Sequence, residues 1–190
     1  MRTRITTSNN LCHTSPSGIR VILGNKNIRM TNKSDKTFLF EANLNWLAED
    51  RGIMYAHGAN GPIYVTTPAQ FGGSGKEWSP EHLLLSAVIG CYMSTFISFA
   101  KKTGVDFSHL ECTATGQVEL AEGRFRFTHI NVYPKIYITG ESMRENTNKA
   151  IEKTAHYCLI SNSINASIIY HTQILIEKQR IKVEKPAIAC

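Results

Sequence analysis

Two cysteines sit where sulfur chemistry could be done. Cys91 lies in the middle of Leu83 through Ala100, a run that is almost entirely apolar or small. On a helix its neighbours are Ala87 and Val88 one turn earlier and Ser94 and Thr95 one turn later. Gly90 beside it costs a helix about 1 kcal/mol relative to alanine, which implies a close approach at that point. Cys158 falls where a second helical stretch ends, in Ala155-His-Tyr-Cys158-Leu-Ile-Ser161-Asn162. A cysteine at a helix terminus can move toward another thiol. Only the thiolate is a competent nucleophile, and an ordinary thiol of pKa about 8.5 is mostly protonated at neutral pH. A nearby cation must therefore lower the pKa of a reactive Cys91, and the same cation can stabilise a departing oxygen. The other reading is a quiet buried thiol, since free cysteine is among the most buried residue types. Cys112 reads as core, and Cys12 and Cys190 lie in terminal segments with no assigned role.

Several other chemistries are excluded. Gly72-Gly-Ser-Gly-Lys76 resembles a phosphate loop only superficially: Gln70 stands where the first glycine belongs and Glu77 where a magnesium-binding hydroxyl belongs. Lys76 likewise breaks the GxSxG elbow. No CxxC occurs, and the seven histidines show no metal-like pairing. Five scattered cysteines do not make a secreted disulfide scaffold, and no apolar leader segment stands near the N-terminus. The expected compartment is reducing and cytoplasmic, although the acid-poor, Arg-containing start would also suit organelle targeting, or Met30 could be the true start. Of the formal charge of +6, residues 1–36 supply all, with seven Lys/Arg and one acid; residues 37–190 balance at zero. The folded part is thus expected to bind no nucleic acid. No unbroken apolar run approaches the roughly 20 residues of a membrane span, so no membrane association is expected.

The elements that must position the two sulfurs follow from pattern. Residues 1–36 read as a weakly ordered basic tail, 37–180 as one domain, and 181–190 as a C-terminal tail. Strands are predicted over Thr37–Leu47, Ile53–His57 and Pro62–Thr67. Ser79-Pro80-Glu81 starts a helix and Lys101-Lys102-Thr103-Gly104 stops it, giving about 22 residues and roughly 33 Å. A helix so apolar on every side must be enclosed, by sheet or by a second copy of itself. Leu110–Leu120 alternates as a half-buried strand, and Glu122-Gly123 turns into Arg124–Thr139, where the pattern slips between Phe127 and Ile130 as at a bulge. A helix over Glu141–Tyr157, a short turn at Ser161-Asn162 and a strand over Ile168–Lys178 complete a β-β-β-α-β-β-α-β order. The tight connections predict antiparallel pairing and the α+β class.

Phe71-Gly-Gly-Ser-Gly…Trp78-Ser-Pro-Glu81-His-Leu-Leu-Leu-Ser-Ala-Val-Ile-Gly-Cys91 resembles the Pro-Glu-x-Leu-(x)7-Cys helix of the OsmC/Ohr family (osmotically inducible protein C and organic hydroperoxide resistance protein). Ala155-His-Tyr-Cys158-Leu-Ile-Ser161 is similar to the family's second-cysteine motif, with Leu159 in place of a common proline. The resemblance spans about residues 38–178. It implies sheets wrapped around central apolar helices in an intimate homodimer. It also implies a thiol peroxidase acting on organic hydroperoxides or hydrogen peroxide, with no bound cofactor. Cys91 would be peroxidatic and Cys158 resolving, and the resulting disulfide would be reduced by a dithiol such as dihydrolipoamide or a lipoylated protein. The alternative is a non-enzymatic relative that responds to redox state or binds a ligand.

The same resemblance implies an activating arginine held by the glutamate of Pro-Glu. Glu81 matches that glutamate and Arg51, in Ala-Glu-Asp-Arg-Gly, is the best match for the arginine; a solvated turn arginine is the other reading. Ten residues separate Glu81 from Cys91, about 15 Å along a straight helix. Either the helix bends at Gly90, a long arginine bridges the two, or one member comes from a second chain. The last possibility and the apolar helix together favour the homodimer.

Overall fold

The computed structural model describes residues 36–177. The tails expected over 1–36 and 181–190, with Cys12, Cys190 and Met30, lie essentially outside those residues. Strands β1 (Ala42–Ala48), β2 (Arg51–Ala56) and β3 (Ile63–Val65) form an antiparallel sheet in that order. β1 is exposed along its length and presents Leu44, Trp46 and Leu47 to solvent.

Helix α1 (Pro80–Thr103) begins and ends where its capping residues require. The Ser79 hydroxyl accepts from the His82 N–H at 3.3 Å, and His82 reaches back to the Ser79 N–H through Nδ1 at 3.4 Å. Histidine thus completes a capping box more often closed by Glu or Gln. Gly104 closes the helix in the left-handed region, φ 68°, and its N–H bonds to the Ala100 carbonyl. Val88, Tyr92, Phe96 and Ala100 recur every fourth residue and form the buried stripe. They pack on Ile130, Val132, Ile136 and Ile138.

Those four belong to β5 (Arg124–Ile138), which pairs antiparallel with β4 (Phe107–Ala121). Glu122 and Gly123, φ 53° and 75°, make the two-residue turn with positive φ at both positions. The predicted bulge is present: Gln117 faces His129 while Val118 faces Phe127, leaving Thr128 extra. From β5 the chain passes through α2 (Arg144–Tyr157) and the short α3 (Leu159–Asn162) to β6 (Ser167–Tyr170) and β7 (Gln173–Ile176).

The structure corrects four expectations. β6 and β7 run parallel to β5, because a helical crossover returns the chain to the same end of the sheet. The single closing strand is split at His171–Thr172, opposite Tyr133–Pro134, and proline has no N–H to offer the ladder. By length and composition α1 is long and apolar enough to cross a membrane. Counting unbroken apolar residues hid this, because Ser86, Ser94, Thr95 and Ser98 interrupt the run without making it polar on average. The fold remains mixed α+β, with β4–β7 carrying α1 on one face. α1 is not enclosed within one chain: Ala87, Gly90, Met93, Ser94 and Ser98 lie open, and a Cβ on Gly90 would meet nothing within 4 Å. The close approach expected at Gly90 is therefore absent among the described residues.

Candidate active site

Cys91 and Cys158 meet. Cys91 sits midway along α1 and is half-buried, while Cys158 is fully buried at the break between α2 and α3. The break is what aims it. Cys158 takes an extended conformation, φ −65° and ψ 109°, so α2 stops with the Cys158 N–H on the Thr154 carbonyl at 3.0 Å and α3 restarts at the next residue. That geometry turns the first N–H groups of α3 toward Cys91. The Ile160 N–H donates to Cys91 Sγ at 3.5 Å, and Thr95 Oγ1 lies 3.9 Å from the same sulfur.

Burial pushes the Cys91 thiol up. The Ile160 N–H, the Cys158 thiol, the Thr95 hydroxyl and the Leu159 N–H outweigh it, and the net shift is downward. Cys158 moves the opposite way. Burial raises it most, its Ser161 contacts pull it down, and the neighbouring Cys91 raises it further. Of the two neighbouring sulfurs, one is biased to ionise and the other to keep its proton. Both are free thiols. Cys112, on β4, is pushed by burial to about 11 and is inert at neutral pH.

Arg51 and Glu81 stand apart from this pair. Arg51 grips Glu77 with Nε at 2.9 and 3.1 Å and Nη2 at 2.7 Å, and lies 4.6 Å over the Tyr64 ring. Its partner is thus Glu77 and not Glu81 within one chain. Glu81, in the first turn of α1, borders a cavity of about 420 Å³ lined by Phe71, Leu85, Phe125 and Phe127 among others. Its Oε2 is buried and makes no hydrogen bond among the described residues. α1 is one uninterrupted helix, so Glu81 and Cys91 remain about 15 Å apart along it.

The sequence did not single out Ser161 and Tyr170 as site residues. Ser161 Oγ donates to Cys158 Sγ at 3.1 Å and shares a 2.7 Å hydrogen bond with the Tyr170 hydroxyl. The three-residue spacing of Cys158 and Ser161 on a helical turn was the available clue; Tyr170 reaches them only through the parallel pairing of β6. Thr95 also lines a groove of about 610 Å³ together with Phe99, Lys102, Lys153 and Tyr157. Among the described residues no cluster of three or more His, Cys, Asp or Glu could hold a metal. Two neighbouring thiols with unequal tendencies to ionise suit a nucleophile and the group that resolves it.

Comparison with known proteins agrees with this fold. The family model described as OsmC-like protein matches residues 73–173, from the glycine-rich loop through β7's first residue. An uncharacterized protein of Bacillus subtilis, YmaD, is 22% identical over 138 residues, 71% of this chain and 91% of its own. An OsmC-like protein of unknown function from Vibrio cholerae superimposes with a TM-score of 0.64 at 18% identity, covering 73% of this chain and all of that one. An organic hydroperoxide resistance protein from Elizabethkingia anophelis does so at 0.60 and 19% identity, covering 75% of this chain and 99% of its own.

Proposed function

The chain belongs to the OsmC-like family, and from that premise we propose that it is a thiol peroxidase reducing organic hydroperoxides or hydrogen peroxide. One observation carries the reading: the Ile160 N–H donates to Cys91 Sγ at 3.5 Å, which sets a Cys91 thiol shifted down beside a fully buried Cys158 thiol shifted up. Solved structures of the same fold named organic hydroperoxide resistance proteins support the substrate class.

The Cys91 thiolate attacks the terminal peroxide oxygen, the O–O bond breaks, and the alkoxide takes a proton and leaves as alcohol. Cys91 is now a sulfenic acid. Cys158 then attacks its sulfur, an S–S bond forms, and the S–O bond breaks. The departing hydroxide takes the Cys158 proton and leaves as water. An external dithiol, such as dihydrolipoamide free or on a lipoylated protein, returns both cysteines to thiols. No resident cofactor enters.

The protein in this reading is a cytoplasmic homodimer. β1 leaves Leu44 and Trp46 exposed, and α1 leaves a stripe of Ala87, Gly90, Met93 and Ser94 open. A second copy laid along α1 would cover both. It would also bring the Arg51 of a second copy toward Glu81, whose buried Oε2 makes no hydrogen bond among the described residues. The pairing of Arg51 with Glu77 favours a second reading, a non-enzymatic relative in which the thiol pair reports redox state.

Peroxide consumption in single turnover separates the two. The peroxidase consumes cumene hydroperoxide rapidly. Cys158→Ser accumulates a Cys91 sulfenate that dimedone traps, and Cys91→Ser consumes none. Consumption by Cys91→Ser at the wild-type rate overturns the assignment.

A further inference from the structure

The groups behind Cys158 form a directed chain. The single hydroxyl hydrogen of Ser161 points at Cys158 Sγ, 3.1 Å away, so in the 2.7 Å contact with Tyr170 it is the tyrosine that donates. Cys158 in turn neighbours Cys91, which accepts from the N–H of Ile160, two residues beyond Cys158, at 3.5 Å. The order is Tyr170 O–H to Ser161 O–H to Cys158 Sγ, with Cys91 beside it. Tyr170 is anchored independently of the sulfurs, since its ring packs 5.3 Å from that of buried Tyr92 and its backbone pairs with Val132 of β5. Its hydroxyl is also close enough to Cys158 to respond to the charge there.

We infer that Ser161 is a catalytic residue of the resolving step and Tyr170 the positioning residue behind it: together they stabilise negative charge on Cys158 as that sulfur gives up its proton and attacks Cys91. The inference rests on the peroxidase reading for its biological meaning, but the attack itself needs no peroxide. When Cys158 forms the S–S bond, its proton passes to the group leaving Cys91, and charge develops on a fully buried sulfur. The Ser161 hydroxyl is already aimed at that charge, so no reorganisation is needed. The Tyr170 bond fixes the serine rotamer and strengthens its donor by polarisation. Without the pair, a fully buried thiol whose burial favours the protonated form would be a poor nucleophile.

The test uses the reduced chain with Cys12, Cys112 and Cys190 replaced by alanine, treated with dithiobis(nitrobenzoate). Attack by Cys91 releases the first thionitrobenzoate. Attack by Cys158 on the mixed disulfide forms the Cys91–Cys158 bond and releases the second, with loss of one proton. In Ser161→Ala and in Tyr170→Phe the ratio of second to first release rates falls about tenfold, the scale of one lost hydrogen bond to a charged group. Ser161→Thr, which keeps the hydroxyl, recovers most of the loss. In the double variant the loss is smaller than the product of the two single losses, because the tyrosine acts largely through the serine. A purely structural role would slow both releases together and would not be rescued by threonine. An unchanged ratio, equal slowing of both steps, or multiplicative effects would overturn the inference. A wild-type chain that shows the relay but never consumes a hydroperoxide would overturn the proposed activity and leave this inference standing.

Discussion

Leu159→Pro isolates the electrostatic contribution of α3 to Cys91. Leu159 is 65% exposed, so its side chain has little packing to lose. It occupies the first position of α3, where proline's fixed φ suits the helix, and the preceding Cys158 already has the extended ψ of 109° that a residue before proline prefers. The substitution therefore removes one N–H and leaves the backbone path unchanged. That N–H helps lower the Cys91 thiol, though it is the weakest of the groups that do so. Hydrogen bonds to charged groups contribute about 1.5–3 kcal/mol. The weakest of four donors to a large sulfur should fall below that range, which bounds the loss of thiolate reactivity at about tenfold at neutral pH. Fixing φ in the unfolded chain should meanwhile stabilise the fold by about 0.4–1 kcal/mol. The assay is the rate of Cys91 alkylation by iodoacetamide against pH, with thermal unfolding measured in parallel. Slower alkylation near neutrality, recovered as pH rises, with an equal or higher melting temperature, is the expected result. An unchanged pH profile would show that the α3 N–H groups do not set the ionisation of Cys91.

Further outcomes follow from the same geometry. Cys112, pushed to about 11, should resist alkylation at neutral pH while Cys91 is modified, as peptide mapping would show; equal labelling would contradict the burial argument. Its pKa is raised on folding, so the linked stability is present below the unfolded value of about 8.5 and is lost as pH climbs toward 11; Cys112→Ala should flatten that alkaline decline in denaturant titrations. Met93→Lys places a charge on the open face of α1 and should shift sedimentation from dimer to monomer; a dimer of unchanged stability would move the interface elsewhere. Arg51→Ala and Glu81→Gln should each slow peroxide attack in stopped-flow traces while the dimer stays folded, and wild-type rates in both would remove these residues from the site.

Where local chemistry decides the structure, the sequence is readable. Ser79-Pro80 and Lys101-Lys102-Thr103-Gly104 bracket α1, which has 24 residues against the about 22 expected, because caps and a left-handed glycine are properties of single positions. The slipped alternation near Phe127 located the bulge, and Glu122-Gly123 the turn. The expected pairing of Cys91 with Cys158 came from motif resemblance; in the structure the backbone break at Cys158 aims the Ile160 N–H at Cys91. What was not readable depends on distant partners. The parallel direction of β6 is set by the α2 crossover and the split at His171 by Pro134 across the sheet. Arg51 met Glu77, a pairing 26 residues apart that no spacing rule encodes. Ordinary thiol chemistry calls for an activating cation. Among the described residues, the Ile160 N–H, the Cys158 thiol, the Thr95 hydroxyl and the Leu159 N–H lower Cys91 instead.

The decisive measurement is thiol stoichiometry after one equivalent of organic hydroperoxide, with the linked peptides mapped by mass spectrometry. Peroxidase chemistry at these two sulfurs predicts the loss of two thiols per chain, one alcohol formed, and a single Cys91–Cys158 cross-link. Both thiols surviving a stoichiometric dose, or a bond joining Cys91 to any other cysteine, would contradict it.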